Sequence, residues 1–154
     1  MGADCLICRE LRGDVALPGG FLWQDEVAVA FHVPPLDEIG NPRPYLGHLL
    51  VVTRRHVPRL GELTDDEGAA VGRAAARLAR TLTEAGGAER VYSAVIGTGT
   101  AHFHLHLVPR YPGTPREVAW YEVDEWEGGP HGSAKEIAEL VEQLRPRIEE
   151  GPLP

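Results

Sequence analysis

The sequence predicts an α+β fold built on a mainly antiparallel sheet with two helices. Three observations carry that expectation: the order strand, strand, helix, two strands, helix; two capping boxes, each opening a helix; and strand-like segments bounded by Pro and Gly rather than joined by regular crossovers. With 154 residues, 43% hydrophobic and 25% charged, one domain with a substantial core is the expected organisation.

Val27-Ala28-Val29-Ala30-Phe31, within residues 21–31, alternates as a strand does. Residues 33–44 hold four prolines and a glycine, which exclude a regular element and leave a long loop. Leu49-Leu50-Val51-Val52 is a continuous apolar run between turn signals and reads as a buried strand. Thr64-Asp65-Asp66-Glu67 has the form of a capping box with acids in the first turn, so a helix runs from there to about Glu84, where Gly86-Gly87 ends it. Val91 to Ile96 suits a strand, and Gly97-Thr98-Gly99-Thr100 a tight turn. His102 to Val108 alternates ring and apolar side chains and is expected to be the last strand. Residues 111–131 lack clear periodicity, and Ser133-Ala134-Lys135-Glu136 caps a helix reaching about Glu149.

Composition narrows the function. A net charge of −8 argues against coating nucleic acid through a basic stripe. It leaves room for a small anionic ligand, because a few cations and backbone dipoles can hold phosphate in an acidic protein. No apolar run approaches the ~20 residues that span a bilayer. The start, Met1-Gly2-Ala3-Asp4-Cys5, lacks the basic and apolar regions of a secretion signal. The expected location is cytoplasmic. In a reducing compartment Cys5-Leu6-Ile7-Cys8 suggests a metal or redox pair before a disulfide, with two free thiols as the plainer alternative.

The chemistry concentrates in His102-Phe103-His104-Leu105-His106. Residues two apart on a strand share a face, so all three imidazoles should line one surface while Phe103, Leu105 and Leu107 pack on the other. Adjacent like charges disfavour one another, which keeps at least one ring neutral and nucleophilic near pH 7. A catalytic zinc held by alternating histidines is a rival reading, although the next acid, Glu117, lies beyond a Pro-rich stretch.

His-apolar-His-apolar-His-apolar-apolar, completed by Leu107-Val108 before Pro109-Arg110, resembles the signature of the histidine triad (HIT) superfamily, in particular its zinc-containing Hint-like and bacterial branch. Gly47-His48 through His56-Val57 is similar to the strand segment of those proteins, in which two histidines flank the buried run, and Cys5-Leu6-Ile7-Cys8 to their N-terminal zinc half-site. The resemblance covers most of residues 5–110 and implies a homodimer and a HIT-like fold in a single domain over residues 1–154, with its core at about 5–110 and a C-terminal extension and helix at about 111–150. It makes His104 the nucleophile, attacking an α-phosphorus to give a covalent nucleotidyl-histidine. It places His106 at the phosphoryl oxygens and His48 beside the triad. It also implies a structural zinc held by Cys5, Cys8, His56 and His102. Gly97, Thr98, Gly99 and Thr100 offer backbone N–H groups and hydroxyls to a phosphate, or form only a hairpin turn. The implied substrates are nucleotides with a phosphoanhydride or phosphoramidate bond, such as dinucleoside polyphosphates and adenosine phosphoramidates.

The pattern departs from the family at two places. Phe31-His32 leads into Val33-Pro34-Pro35, with the first acids at Asp37 and Glu38, where the family has an early Asp or Asn at the ribose. The segment before the triad is short and lacks a Gly-Gln-Ser run. Both departures touch substrate contacts and keep two alternatives open: the same histidine chemistry on a non-nucleotide substrate, or a nucleotide-binding sensor without turnover. His32 reads as a core or surface histidine, and Arg110 as a phosphate or salt-bridge partner. Trp120 and Trp126 could floor a base pocket or close an interface.

Overall fold

A computed structural model describes residues 4–149. Five strands form one antiparallel sheet: β1 (Phe21–Gln24), β2 (Ala28–His32), β3 (Leu49–Thr53), β4 (Arg90–Ala94) and β5 (His104–Arg110), in the spatial order β1-β2-β3-β5-β4. Three helices accompany it: α1 (Leu6–Arg12), α2 (Asp65–Glu84) and α3 (Ala134–Glu149). The α+β expectation holds, with one helix more than the sequence suggested. Seven residues are too few to display a helical period, which is why α1 escapes pattern reading. No described helix is long and apolar enough to cross a membrane.

Both capping boxes form. Thr64 Oγ1 accepts from Glu67 N–H (3.2 Å) while Glu67 accepts from Thr64 N–H (2.9 Å). At α3, Glu136 accepts from Ser133 N–H (2.7 Å). Residues 21–31 contain a hairpin rather than a lone strand: Asp25 Oδ1 accepts from both Val27 N–H and Ala28 N–H at 2.8 Å, which turns the chain between β1 and β2.

The two faces of the sheet are covered differently. Leu49, Val51, Phe103 and Leu107 pack against Leu78 and Leu82 of α2 and Ile137, Val141 and Leu144 of α3. Val29, Phe31, Leu50 and Val52 point the other way and meet Ile7 of α1. Because both faces are covered here, β2 and β3 are buried at every position and Leu49–Val52 reads as a continuous apolar run.

The turn entering β3 is fixed by a buried histidine. His32, 1% exposed, donates from Nδ1 to Val33 O (2.7 Å) and accepts Gly47 N–H at Nε2 (2.9 Å). Gly47 has φ +91°, and a Cβ there would lie 2.7 Å from Pro109 Cγ and against the Tyr111 hydroxyl. Gly47→Ala is therefore expected to cost about 1–3 kcal/mol, read as a lowered urea midpoint. Burial pushes the His32 imidazole down to about 4, partly opposed by its bond to Val33 O. The unfolded ring protonates near ~6.5. Its contribution to stability is therefore full above that value and is lost as pH falls towards the folded value. Denaturant melts should give about 2 kcal/mol less stability at pH 5 than at pH 7 from this ring, and His32→Gln should flatten that slope.

Candidate active site and metal centre

Strand β5 begins at His104, not His102. His104 and His106 stand opposite Val52 and Leu50 of β3 and share the α1-side face of the sheet. His102 lies before the strand and is completely buried, with its ring on the α1 side against Cys5 and Cys8 while Phe103 packs in the core on the opposite face, so the alternation carries back past the start of β5. His102 also has a second set of partners.

His102 Nδ1 lies 3.6 Å from Cys5 Sγ and 3.5 Å from Cys8 Sγ, and His56 Nδ1 lies 3.3 Å from Cys8 Sγ. One donor atom from each of the four residues falls within 4.8 Å of the others. A tetrahedral zinc with ordinary Zn–S and Zn–N lengths separates its sulfur and nitrogen ligands by about 3.6 Å. The donor set therefore fits a closed Cys₂His₂ structural zinc and leaves no protein-free position for catalysis. The surroundings fit too. His102 Nε2 donates to Thr53 O (2.7 Å), which fixes the tautomer that presents Nδ1 to a metal. Arg55 binds Glu67 through two bonds (2.8 and 2.7 Å), tying the turn that carries His56 to the first turn of α2. That guanidinium holds the Glu67 carboxyl down at about 2.

The nucleophile candidate is oriented by the same residue. His104 Nδ1 lies 2.6 Å from His102 O. A carbonyl only accepts, so Nδ1 carries hydrogen and the neutral ring keeps a lone pair on Nε2. His106 packs edge-on to His104 with centroids 4.9 Å apart, and His106 Nδ1 lies 2.9 Å from His48 Nε2. Burial pushes the His48 and His106 rings below the usual range, reinforced by the neighbouring imidazoles. Both are neutral at physiological pH.

A cavity of about 150 Å³ opens at this pair, lined in part by His48, His106, Tyr92, Ile96, Trp120 and Asp124. A larger cleft of about 670 Å³, between the C-terminal segment and α3, holds none of the triad histidines and lacks the chemistry of the smaller one. Gly99 and Thr100 lie on the metal side, lining a cleft of about 330 Å³ with Cys5, His56 and Glu38. Gly97 (φ +70°) begins the turn that links this cleft to Ile96 at the cavity. Trp120 borders the histidines, whereas Trp126 O accepts from His131 Nε2 at 2.9 Å, and Trp126 does not line that cavity. Arg110 is engaged by Glu89 (3.6 Å) and by the carbonyls of Val118 and Pro115. Glu38 pairs with Arg9 (3.1 Å). Sequence reasoning missed Asp124, whose Oδ2 lies 3.4 Å from His48 Nδ1. No local motif marks it.

Residues 41–113 match the HIT domain model. An uncharacterized HIT-like protein of Methanocaldococcus jannaschii is 32% identical over 123 residues, covering 77% of this chain and 88% of that protein. The chain belongs to the HIT family. The Protein hit of Bacillus subtilis is 26% identical over 70% of this chain and 72% of its own length. Among solved structures, a Zn-bound histidine triad family protein from Mycobacterium smegmatis superposes with a TM-score of 0.71 at 21% identity, covering 97% of this chain and 96% of that one. A hypothetical histidine triad nucleotide-binding protein from Sulfolobus tokodaii gives 0.69 at 21% identity, over 95% and 93%. These likenesses fix the HIT fold. Membership of the HIT family supports a function of the nucleotide-binding or hydrolase type.

Elemental analysis of the protein should find one zinc per chain. Chelation should lower the melting temperature together with activity. Loss of activity at an unchanged melting temperature would instead mark a catalytic metal.

Proposed function

We propose that this HIT protein is a zinc-stabilised nucleotide hydrolase or nucleotidyl transferase. It acts on a phosphoanhydride or phosphoramidate bond at the α-phosphate through a covalent intermediate on His104. The observation that carries this reading is the bond from His104 Nδ1 to His102 O, which commits the Nε2 lone pair to attack. In the first half-reaction Nε2 bonds the α-phosphorus in line and the leaving group departs with the bonding electrons. Water then opens the phosphorus–nitrogen bond and releases a mononucleotide. His106 stands beside the phosphoryl oxygens and His48 supports it. The Gly97–Thr100 turn, which spans the two clefts beside the start of β5, is assigned to the phosphate chain through its backbone N–H groups. When bound, the metal supplies no reaction step; it rigidifies the junction from which β5 starts.

The likeness to the Sulfolobus tokodaii protein, a hypothetical histidine triad nucleotide-binding protein, favours a nucleotide over another phosphate ester. Localisation in the cytoplasm, action as a homodimer and independence of nucleic acid and membrane belong to the same proposal.

Purified protein should release mononucleotide from a panel of adenosine and guanosine phosphoramidates and dinucleoside polyphosphates. His104→Ala should reduce turnover by at least ~10³-fold without loss of fold. Tight nucleotide binding with no turnover in the wild type would instead identify a sensor module. Release unaffected by His104→Ala would overturn the nucleophile.

A further inference from the structure

We propose that Asp124, acting through His48, fixes hydrogen on Nδ1 of His106. This leaves Nε2 of His106 as the base that takes the proton of the water opening the nucleotidyl-histidine. The chemical role rests on the reading of His104 as nucleophile; the tautomers do not.

Three groups stand in series. Asp124 Oδ2 faces His48 Nδ1 at 3.4 Å, and His48 Nε2 faces His106 Nδ1 at 2.9 Å. Only one hydrogen fits between the two ring nitrogens, so the pair has two possible arrangements. Hydrogen on His48 Nε2 would leave the bare Nδ1 lone pair 3.4 Å from the Asp124 carboxylate, which is repulsive. Hydrogen on His48 Nδ1 sets the positive end of the N–H dipole beside that charge and turns Nε2 into an acceptor. His106 must then donate from Nδ1, and its Nε2 is left bare. The 3.4 Å separation is longer than an ordinary N–H···O bond. The cavity is sheltered, with the His48 side chain 11% and the Asp124 side chain 28% exposed, so the carboxylate acts there with little solvent screening. Glu125, His131 and Tyr45 are the other charged or titratable groups interacting with Asp124, and His32 and His104 those acting on His48 besides His106. None of them offers the His48 Nδ1 a competing acceptor among the described contacts.

A water O–H bond breaks and its proton passes to Nε2 of His106. The oxygen bonds phosphorus, and the phosphorus–nitrogen bond breaks with its electron pair returning to Nε2 of His104. The new His106 imidazolium is a donor to the same phosphoryl oxygens, and its charge is balanced through His48 by Asp124. Asp124 touches no reacting atom; it is a positioning residue.

Asp124 comes from the segment that follows β5, outside the residues 41–113 that match the HIT domain model. The relay therefore joins the histidines of the matched region to a carboxylate that lies beyond it.

Long-range ¹H–¹⁵N NMR of the zinc-loaded protein at neutral pH, without substrate, reads the tautomers directly. Wild type should carry hydrogen on Nδ1 of both His48 and His106. Asp124→Asn, whose amide oxygen still accepts, should retain that pattern, and Asp124→Leu should move hydrogen to Nε2 of both rings. Asp124→Leu should lower kcat about 10–100-fold with little change in KM, and should accumulate the His104 adduct. Hydrogen on Nε2 of His106 in the wild type overturns the proposal, and that spectrum decides even if Asp124→Leu does not fold. So do unchanged tautomers in folded Asp124→Leu. Equal slowing of adduct formation and adduct hydrolysis overturns the assignment of the base. A wild type with the expected tautomers but no adduct contradicts the proposed function instead, and the two failures are thereby separated.

Discussion

The hydrogen bond from His104 Nδ1 to the carbonyl of His102 joins the two halves of the site. One residue serves the metal cluster with its ring and the proposed nucleophile with its backbone. The His102 ring is held between two thiols and Thr53 O, so its carbonyl has little freedom. A carbonyl held in place selects one tautomer of His104, and with it the atom that can attack. His102 and Phe103 stand just before β5, which starts at His104.

The sheet keeps packing and chemistry on opposite sides of the same strands. Leu105 and Leu107 of β5 join the core under α2 and α3, while His104 and His106 emerge on the α1 side. Placing α1 on that side lets Ile7 close the smaller apolar cluster while Cys5 and Cys8 reach His56 and His102. A short helix with no side-chain cap is marginal by itself. Its apolar contact and its two thiols give it a reason to persist. Gly47, His32 and Tyr111 act at the other end of β3, where they set the turn that delivers His48.

What was legible in the sequence follows from how local each signal is. The period-2 histidines, the capping boxes at Thr64 and Ser133 and the apolar run of β3 are written in neighbouring residues, and each appears where the pattern places it. The zinc quartet was legible through resemblance and not through spacing, since Cys5 and His102 are 97 residues apart. Ring and apolar side chains alternate from His102 onward although β5 itself starts at His104, and the His102 ring is taken up by Cys5 and Cys8. The hairpin at Asp25 was hidden because its turn depends on one side chain accepting from two amides. Asp124 was hidden for a different reason. It lies in an irregular Gly- and Trp-containing stretch whose path over the sheet no periodicity encodes.

In the proposed reaction His104 Nε2, aimed by His102, bonds phosphorus. Rapid quenching of zinc-loaded wild type with an adenosine phosphoramidate, followed by peptide mass mapping, reads that bond. An adenylyl group is expected on His104 of the peptide that carries the triad. An adenylyl group on His106 or another residue, or mononucleotide release with no adduct at any quench time, would contradict it.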